Sequence, residues 1–159
     1  MFEELTIDTP PLRIAVRRAG NADGPKLLAL HGWLDNVASF TPIAPHFADH
    51  DLVMIDLPGH GRSSHRAPGA WYHFIDYCTD VLAVVEALGW SRFSLLGHSL
   101  GGAIASVLAA ALADRVEHLY LIESLGPIST REDKLPGDRA GLARSPGHHR
   151  QAVATLRLD

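Results

Sequence analysis

Five residues, Gly97-His98-Ser99-Leu100-Gly101, set a serine between two glycines in the spacing G-x-S-x-G. A serine so placed can act as a nucleophile: its hydroxyl attacks a carbonyl carbon and forms a covalent acyl intermediate. The flanking residues must be small, because the turn that lifts the serine out of its strand is tight and strained. Gly97 and Gly101 meet that need, and Gly102 extends it. The chemistry then makes two further demands. Negative charge developing on the attacked oxygen must meet N–H donors. The hydroxyl proton must pass to a base, normally a histidine within hydrogen-bond reach.

Candidates for the donors are present. A site of this kind takes one N–H from the residue after the serine, here Leu100, and one from the loop after an earlier strand. "LALHGWLDN" is that loop, and Trp33 is the candidate donor. His31 and Gly32 support it, Gly32 by letting the chain come close. Asp35 and Asn36 read as caps of a following helix rather than catalysts.

The base is harder to find among 10 histidines. His98 adjoins the serine, but neighbours on a tight turn point in different directions, so it reads as structural. His60, in "DLPGHGRSS", reads as a loop residue. His46, His50, His65, His73 and His118 fall in helices, loops or strand starts with no catalytic context. His148 and His149 follow the serine, yet they lie in a Pro/Gly-rich stretch without a strand to present them.

The elements that would position these residues can be read from hydrophobic pattern. Leu12 to Arg18 alternates apolar and charged, as a half-buried edge strand does. Lys26 to Gly32, Asp51 to Gly59, Arg92 to Ser99 and Val116 to Ser124 are short apolar runs suited to strands buried on both faces. Phe74, Tyr77, Cys78, Val81, Leu82, Val85 and Leu88 recur at helical spacing, with Gly89 as the stop. Leu100 to Ala113 reads as a second helix whose small residues let it lie close on a sheet. Strands alternating with helices predict an α/β fold with a predominantly parallel sheet. After Ser124 the texture turns to Pro, Gly and scattered charge. No buried strand is expected there, and Ala140 to Arg144 and His149 to Leu158 read as short helices. Residues 1–125 therefore form the core, and 126–159 a separate segment.

Composition narrows the class. The chain has 159 residues, is 47% hydrophobic and 20% charged, and carries a net charge of −4. Those values suit a soluble globular domain and argue against nucleic acid as the main partner, since phosphate binding needs a basic surface. One cysteine, Cys78, allows no intrachain disulfide, which fits a reducing, cytoplasmic setting. The start lacks the basic and apolar regions of a signal peptide, and no run reaches the length of a membrane span. No membrane partner, metal or cofactor is expected.

Together, "HGW" at His31 to Trp33, "DLPGHGRSS" at Asp56 to Ser64 and "GHSLGG" at Gly97 to Gly102 resemble the α/β-hydrolase superfamily. "LHGWLDNVASF", "YHFIDY" and "ALGWSRFSLLGHS" are similar, more narrowly, to its serine hydrolase-like (kraken-type) subfamily. The resemblance covers about residues 12 to 128. It implies a chain order of serine, acid and histidine, the acid and histidine following strands later than Val116 to Glu123. This chain stops before those strands, and residues 126–159 look like the beginning of a cap or a disordered tail. Glu123 is a possible acid, because some families of this kind, the haloalkane dehalogenases among them, use an acid at this strand end. The serine argues against epoxide hydrolase and dehalogenase chemistry, which uses aspartate at the nucleophile position.

Two readings follow. In one, the chain is the N-terminal part of a hydrolase acting on a small ester or related carbonyl substrate, with Ser99 as nucleophile and the Trp33 and Leu100 amides as oxyanion hole. In the other, it is a truncated, non-catalytic pseudo-hydrolase or binding module. If the sheet ends at Val116 to Glu123, that strand is an exposed edge, inviting self-association.

Overall fold

The computed structural model describes residues 1–124 and 153–157. Seven strands form one sheet: β1 (Glu3–Thr9), β2 (Leu12–Gly20), β3 (Lys26–Leu30), β4 (Asp51–Ile55), β5 (Phe93–His98), β6 (Val116–Ile122) and β7 (Val153–Arg157). Their order across the sheet is β1-β2-β4-β3-β5-β6-β7. β4, β3, β5 and β6 run parallel, and β1 shares their direction because two antiparallel ladders separate it from β4. Only β2 and β7 run the other way. The sheet is thus predominantly parallel, as the pattern of buried strands requires.

Two helices, α1 (Phe74–Ala87) and α2 (Leu100–Ala111), pack on one face. Their apolar stripes, Tyr77, Val81, Val84 and Val85 from α1 and Ile104, Ala105 and Leu108 from α2, join Leu28, Leu30, Val53, Ile55 and Leu95 in the larger core. The opposite face is covered by two short 3-10 helices, Val37–Phe40 and Ala44–Phe47. There Val37, Phe40 and Ala44 close over Leu27, Ala29, Leu52, Met54 and Leu96. β3, β4 and β5 are therefore buried on both sides, which is why they read as unbroken apolar runs. α1 ends where expected, with Gly89 in the left-handed region (φ 69°) just past its C-cap, Leu88.

Four expectations need correction. Leu12–Gly20 is not an edge strand, because β1 pairs along its outer side. β1 carries the charges Glu3, Glu4 and Asp8, which suit it to a solvent-facing edge. Val116–Ile122 is not buried on both faces: Val116, Leu119 and Leu121 are buried, while His118, Tyr120 and Ile122 are half-buried. The segment read as a helix over His149 to Leu158 contains a strand, β7, antiparallel to β6. β6's outer N–H and C=O groups need partners, and β-branched Val153 and Thr155 favour supplying them in extended form. Hence β6 is not the edge of the described sheet either. The helix read at Ala140 to Arg144 and the other residues assigned to a cap lie outside the described residues.

Candidate active site

The strand order fixes where a site can form. From β3 the chain passes to β4 on one side, through the 3-10 helices. It then returns through α1 to β5 on the other side of β3. A parallel sheet opens a crevice where successive connections part in this way, at the carboxyl ends of the strands. The two strands flanking that point are β3 and β5. Their carboxyl ends carry His31-Gly32-Trp33 and His98-Ser99-Leu100. The sequence motifs meet there because the topology brings them together.

Ser99 is the residue between β5 and α2. Its backbone sits at φ 50°, ψ −113°, a conformation that residues with a side chain rarely adopt. The surroundings hold it there. Its N–H donates to Ile122 O at the end of β6 (3.1 Å), and its carbonyl accepts from Ala103 N–H (3.1 Å). The glycines are obligatory on space alone. A Cβ on Gly97 would lie 2.4 Å from Gly102 Cα, and one on Gly101 would lie 2.0 Å from Leu30 O. Gly101 N–H donates to His31 O (3.1 Å), tying the elbow to the loop after β3.

That hydrogen bond also sorts the donors. The first N–H groups of a helix have no partner within it. Gly101 spends its own on His31, whereas Leu100 N–H donates to no group among the described residues. Nor does Trp33 N–H. The loop bearing Trp33 reaches the serine: a Cβ built on Gly32 would lie 3.4 Å from Ser99 Cβ. The Trp33 side chain is not core. It is 59% exposed, and its ring stands edge-on to His60 at 5.2 Å.

His31 holds this loop rather than acting on substrate. It is wholly buried. Leu57 N–H donates to its Nε2 (2.9 Å), so Nδ1 carries the proton and donates to Gly32 O (2.7 Å). Burial pushes its pKa below the ordinary imidazole value, outweighing the Gly32 carbonyl and nearby carboxylates that favour the charged form. Asp56, also buried, does the matching work on the loop after β4. Its two oxygens accept from Val37 N–H and Arg62 N–H, each at 2.8 Å. His60 is buried beside it, with Nδ1 against Pro58 O (3.1 Å).

His98 lies between two carboxylates. Nδ1 is 3.9 Å from Asp35 Oδ2, and Nε2 is 3.7 Å from Glu123 Oε2. Glu123, the possible acid, therefore sits at the carboxyl edge of the sheet facing His98, with its side chain half exposed and its backbone in the left-handed region (φ 49°). Asn36 caps the first 3-10 helix, as its type suggests, accepting from Ala38 N–H (2.9 Å). Asp35 accepts from Asn36 N–H and the Ser39 hydroxyl. Burial disfavours its charged form, but those hydrogen bonds and the nearby histidines prevail and hold its carboxyl below the ordinary range. Its second role, facing His98, has no sequence signal beyond its place two residues after Trp33. No imidazole among the described residues hydrogen-bonds to Ser99 Oγ. His148 and His149 lie outside the described residues. No cluster able to hold a metal occurs among the described residues.

Residues 25–149 match the model of the alpha/beta hydrolase fold family. The chain is similar to a serine hydrolase-like protein of Danio rerio, 45% identical over 125 residues that make up 77% of this chain and 38% of the relative. It is similar, at 36% identity over 127 residues, to a pimeloyl-[acyl-carrier protein] methyl ester esterase of Aeromonas salmonicida, covering 79% of this chain and 47% of that protein. Among solved structures, a hypothetical protein of Pseudomonas aeruginosa superposes with a TM-score of 0.78 at 48% identity, over 84% of this chain and 47% of the other. The chain thus spans less than half the length of each of these three.

Proposed function

Because the chain belongs to the α/β hydrolase family, we propose that it carries the nucleophile half of a serine hydrolase site for a small ester or related carbonyl substrate. The observation that carries this reading is the strained backbone of Ser99 at the switch point, beside the two uncommitted N–H groups of Trp33 and Leu100. Strain of this kind persists only where the surroundings enforce it, and it clusters at functional sites. In the proposed reaction Ser99 Oγ attacks the carbonyl carbon while its proton passes to a base. The Trp33 and Leu100 N–H groups receive the oxyanion. The tetrahedral intermediate expels the alcohol, which takes the proton, leaving an acyl group on Ser99. Water, deprotonated in the same way, releases the acid. The esterase relative supports an ester as substrate. One small molecule is partner enough for this chemistry, and a cytoplasmic setting agrees with the single cysteine.

No imidazole among the described residues hydrogen-bonds to Ser99 Oγ, and this favours a second reading: a chain that binds but barely turns over. A serine hydrolase site stripped of its base keeps roughly 10³–10⁴-fold acceleration over water from oxyanion hole and binding alone. Assay with p-nitrophenyl esters of short acids separates the readings. The hydrolase reading predicts weak ester cleavage that the Ser99→Ala variant loses. Equal cleavage by both chains would leave only the non-catalytic reading.

A further inference from the structure

Three residues other than glycine adopt positive φ among the described residues: Leu34 (57°), Ser99 (50°) and Glu123 (49°). All three lie at the carboxyl edge of the sheet, on the loop after β3, the turn after β5 and the end of β6. Each is expensive for an L-residue and must be held by its surroundings. What holds Ser99 is backbone hydrogen bonding to Ile122 and Ala103. Leu34 is 81% exposed, so core packing does not hold it. Glu123 has a half-exposed side chain and no hydrogen bond among the described residues. One side chain lies between those two segments. His98 presents Nδ1 to Asp35, the residue after Leu34, and Nε2 to Glu123 itself. Its seat depends on the glycine of the loop: a Cβ on Gly32 would lie 3.0 Å from His98 Nδ1.

We infer that His98 is a positioning residue, an electrostatic tie that holds the Trp33 loop and the end of β6 in their strained conformations on either side of Ser99. At 3.7–3.9 Å the contacts are longer than direct hydrogen bonds, and they become ion pairs when the imidazole is protonated. An imidazole between two carboxylates can donate to one of them and, when protonated, to both. Neither Asp35 nor Glu123 reaches the other's segment by any hydrogen bond or salt bridge among the described residues; His98 is the group that both face. The catalytic meaning of the tie, a Trp33 N–H kept in place for an oxyanion, rests on the function proposed above. The tie itself does not.

Amide hydrogen exchange of the 159-residue chain at about pH 5.5, below the ordinary imidazole value, read over residues 31–37, tests it. Glu123→Gln is the decisive variant, because the Glu123 side chain faces His98 and makes no salt bridge or hydrogen bond to that loop among the described residues. Removing the tie should speed exchange there by about two- to fivefold, the range of an exposed charge pair, while exchange in β4 stays unchanged. His98→Gln should do the same, and Glu123→Gln should add nothing in the His98→Gln background. Raising KCl to 1 M should speed loop exchange in the parent chain and not in His98→Gln, which a merely steric role for the ring would not produce. The inference is overturned if Glu123→Gln leaves the loop unchanged, or if its effect survives without His98. An unreactive Ser99 with this coupling intact would sink the proposed function and leave the tie standing.

Discussion

Ser99 carries a conformation that costs stability, and the cost is testable at that residue. Ser99→Gly removes the steric penalty of φ 50°, whereas Ser99→Ala keeps it. Even after glycine's larger unfolded-state entropy, Ser99→Gly should be more stable than Ser99→Ala by about 1 kcal/mol in urea unfolding. A tie between the two variants would mean that the elbow is relaxed. His31 gives a second prediction. Its folded pKa lies below the ordinary value near 6.5, so below that pH the unfolded chain binds a proton that the folded chain refuses. Its stabilising contribution is therefore complete above about pH 6.5 and is lost as pH falls towards the folded value, by up to about 1.4 kcal/mol per pH unit. Unfolding midpoints from pH 7 to 5 should fall less steeply in His31→Gln than in the parent chain. Much at this scale is legible in sequence: Gly97, Ser99 and Gly101 declare a turn that tolerates no bulk. What is not legible is any role set by long-range approach. Asp35 reads as a cap, a role that Asn36 fills instead, and it faces His98, a residue 63 positions away. Nothing in local pattern encodes that meeting.

At the scale of elements, the sheet is pinned at the end opposite the site. Asp51, the first residue of β4, is fully buried. Arg18 of β2 grips it with two bonds (2.6 and 2.8 Å), and Lys26 of β3 reaches it at 3.0 Å. Burial works against its charge, but the two cations overcome it and hold the carboxyl below its ordinary range. The arrangement is asymmetric, because Arg18 and Lys26 are each about one-third exposed and can return to water. Arg18→Ala should therefore cost more than Asp51→Asn, about 2–3 kcal/mol against about 1–2 in chemical denaturation, since only the former leaves a buried carboxylate with Lys26 as its remaining cation. The reverse order would contradict this account of the cluster. The central strands were legible because burial on both faces leaves an unbroken apolar run. β1 and β7 were not. β1's charges mask the alternation of Leu5, Ile7 and Thr9, and β7 exists because β6 has an edge to pair, a fact outside its own sequence.

For the molecule as a whole, the parts are coherent on one edge. Strand order places the loop after β3 beside the turn after β5, and buried His31 and Asp56 lock the loops that flank them. The proposed nucleophile Ser99 and the proposed donors Trp33 and Leu100 lie together, with no imidazole hydrogen-bonded to the serine among the described residues. Imidazole supplied from solution should therefore substitute for the side chain. The direct measurement is the mass of the chain after exposure to a fluorophosphonate, with and without added imidazole, followed by peptide mapping. The account predicts a single phosphonyl group on the peptide containing Ser99, gained faster as imidazole rises, and none on that peptide in Ser99→Ala. No adduct at Ser99 in the presence of imidazole, or an equal adduct elsewhere in both chains, would contradict it.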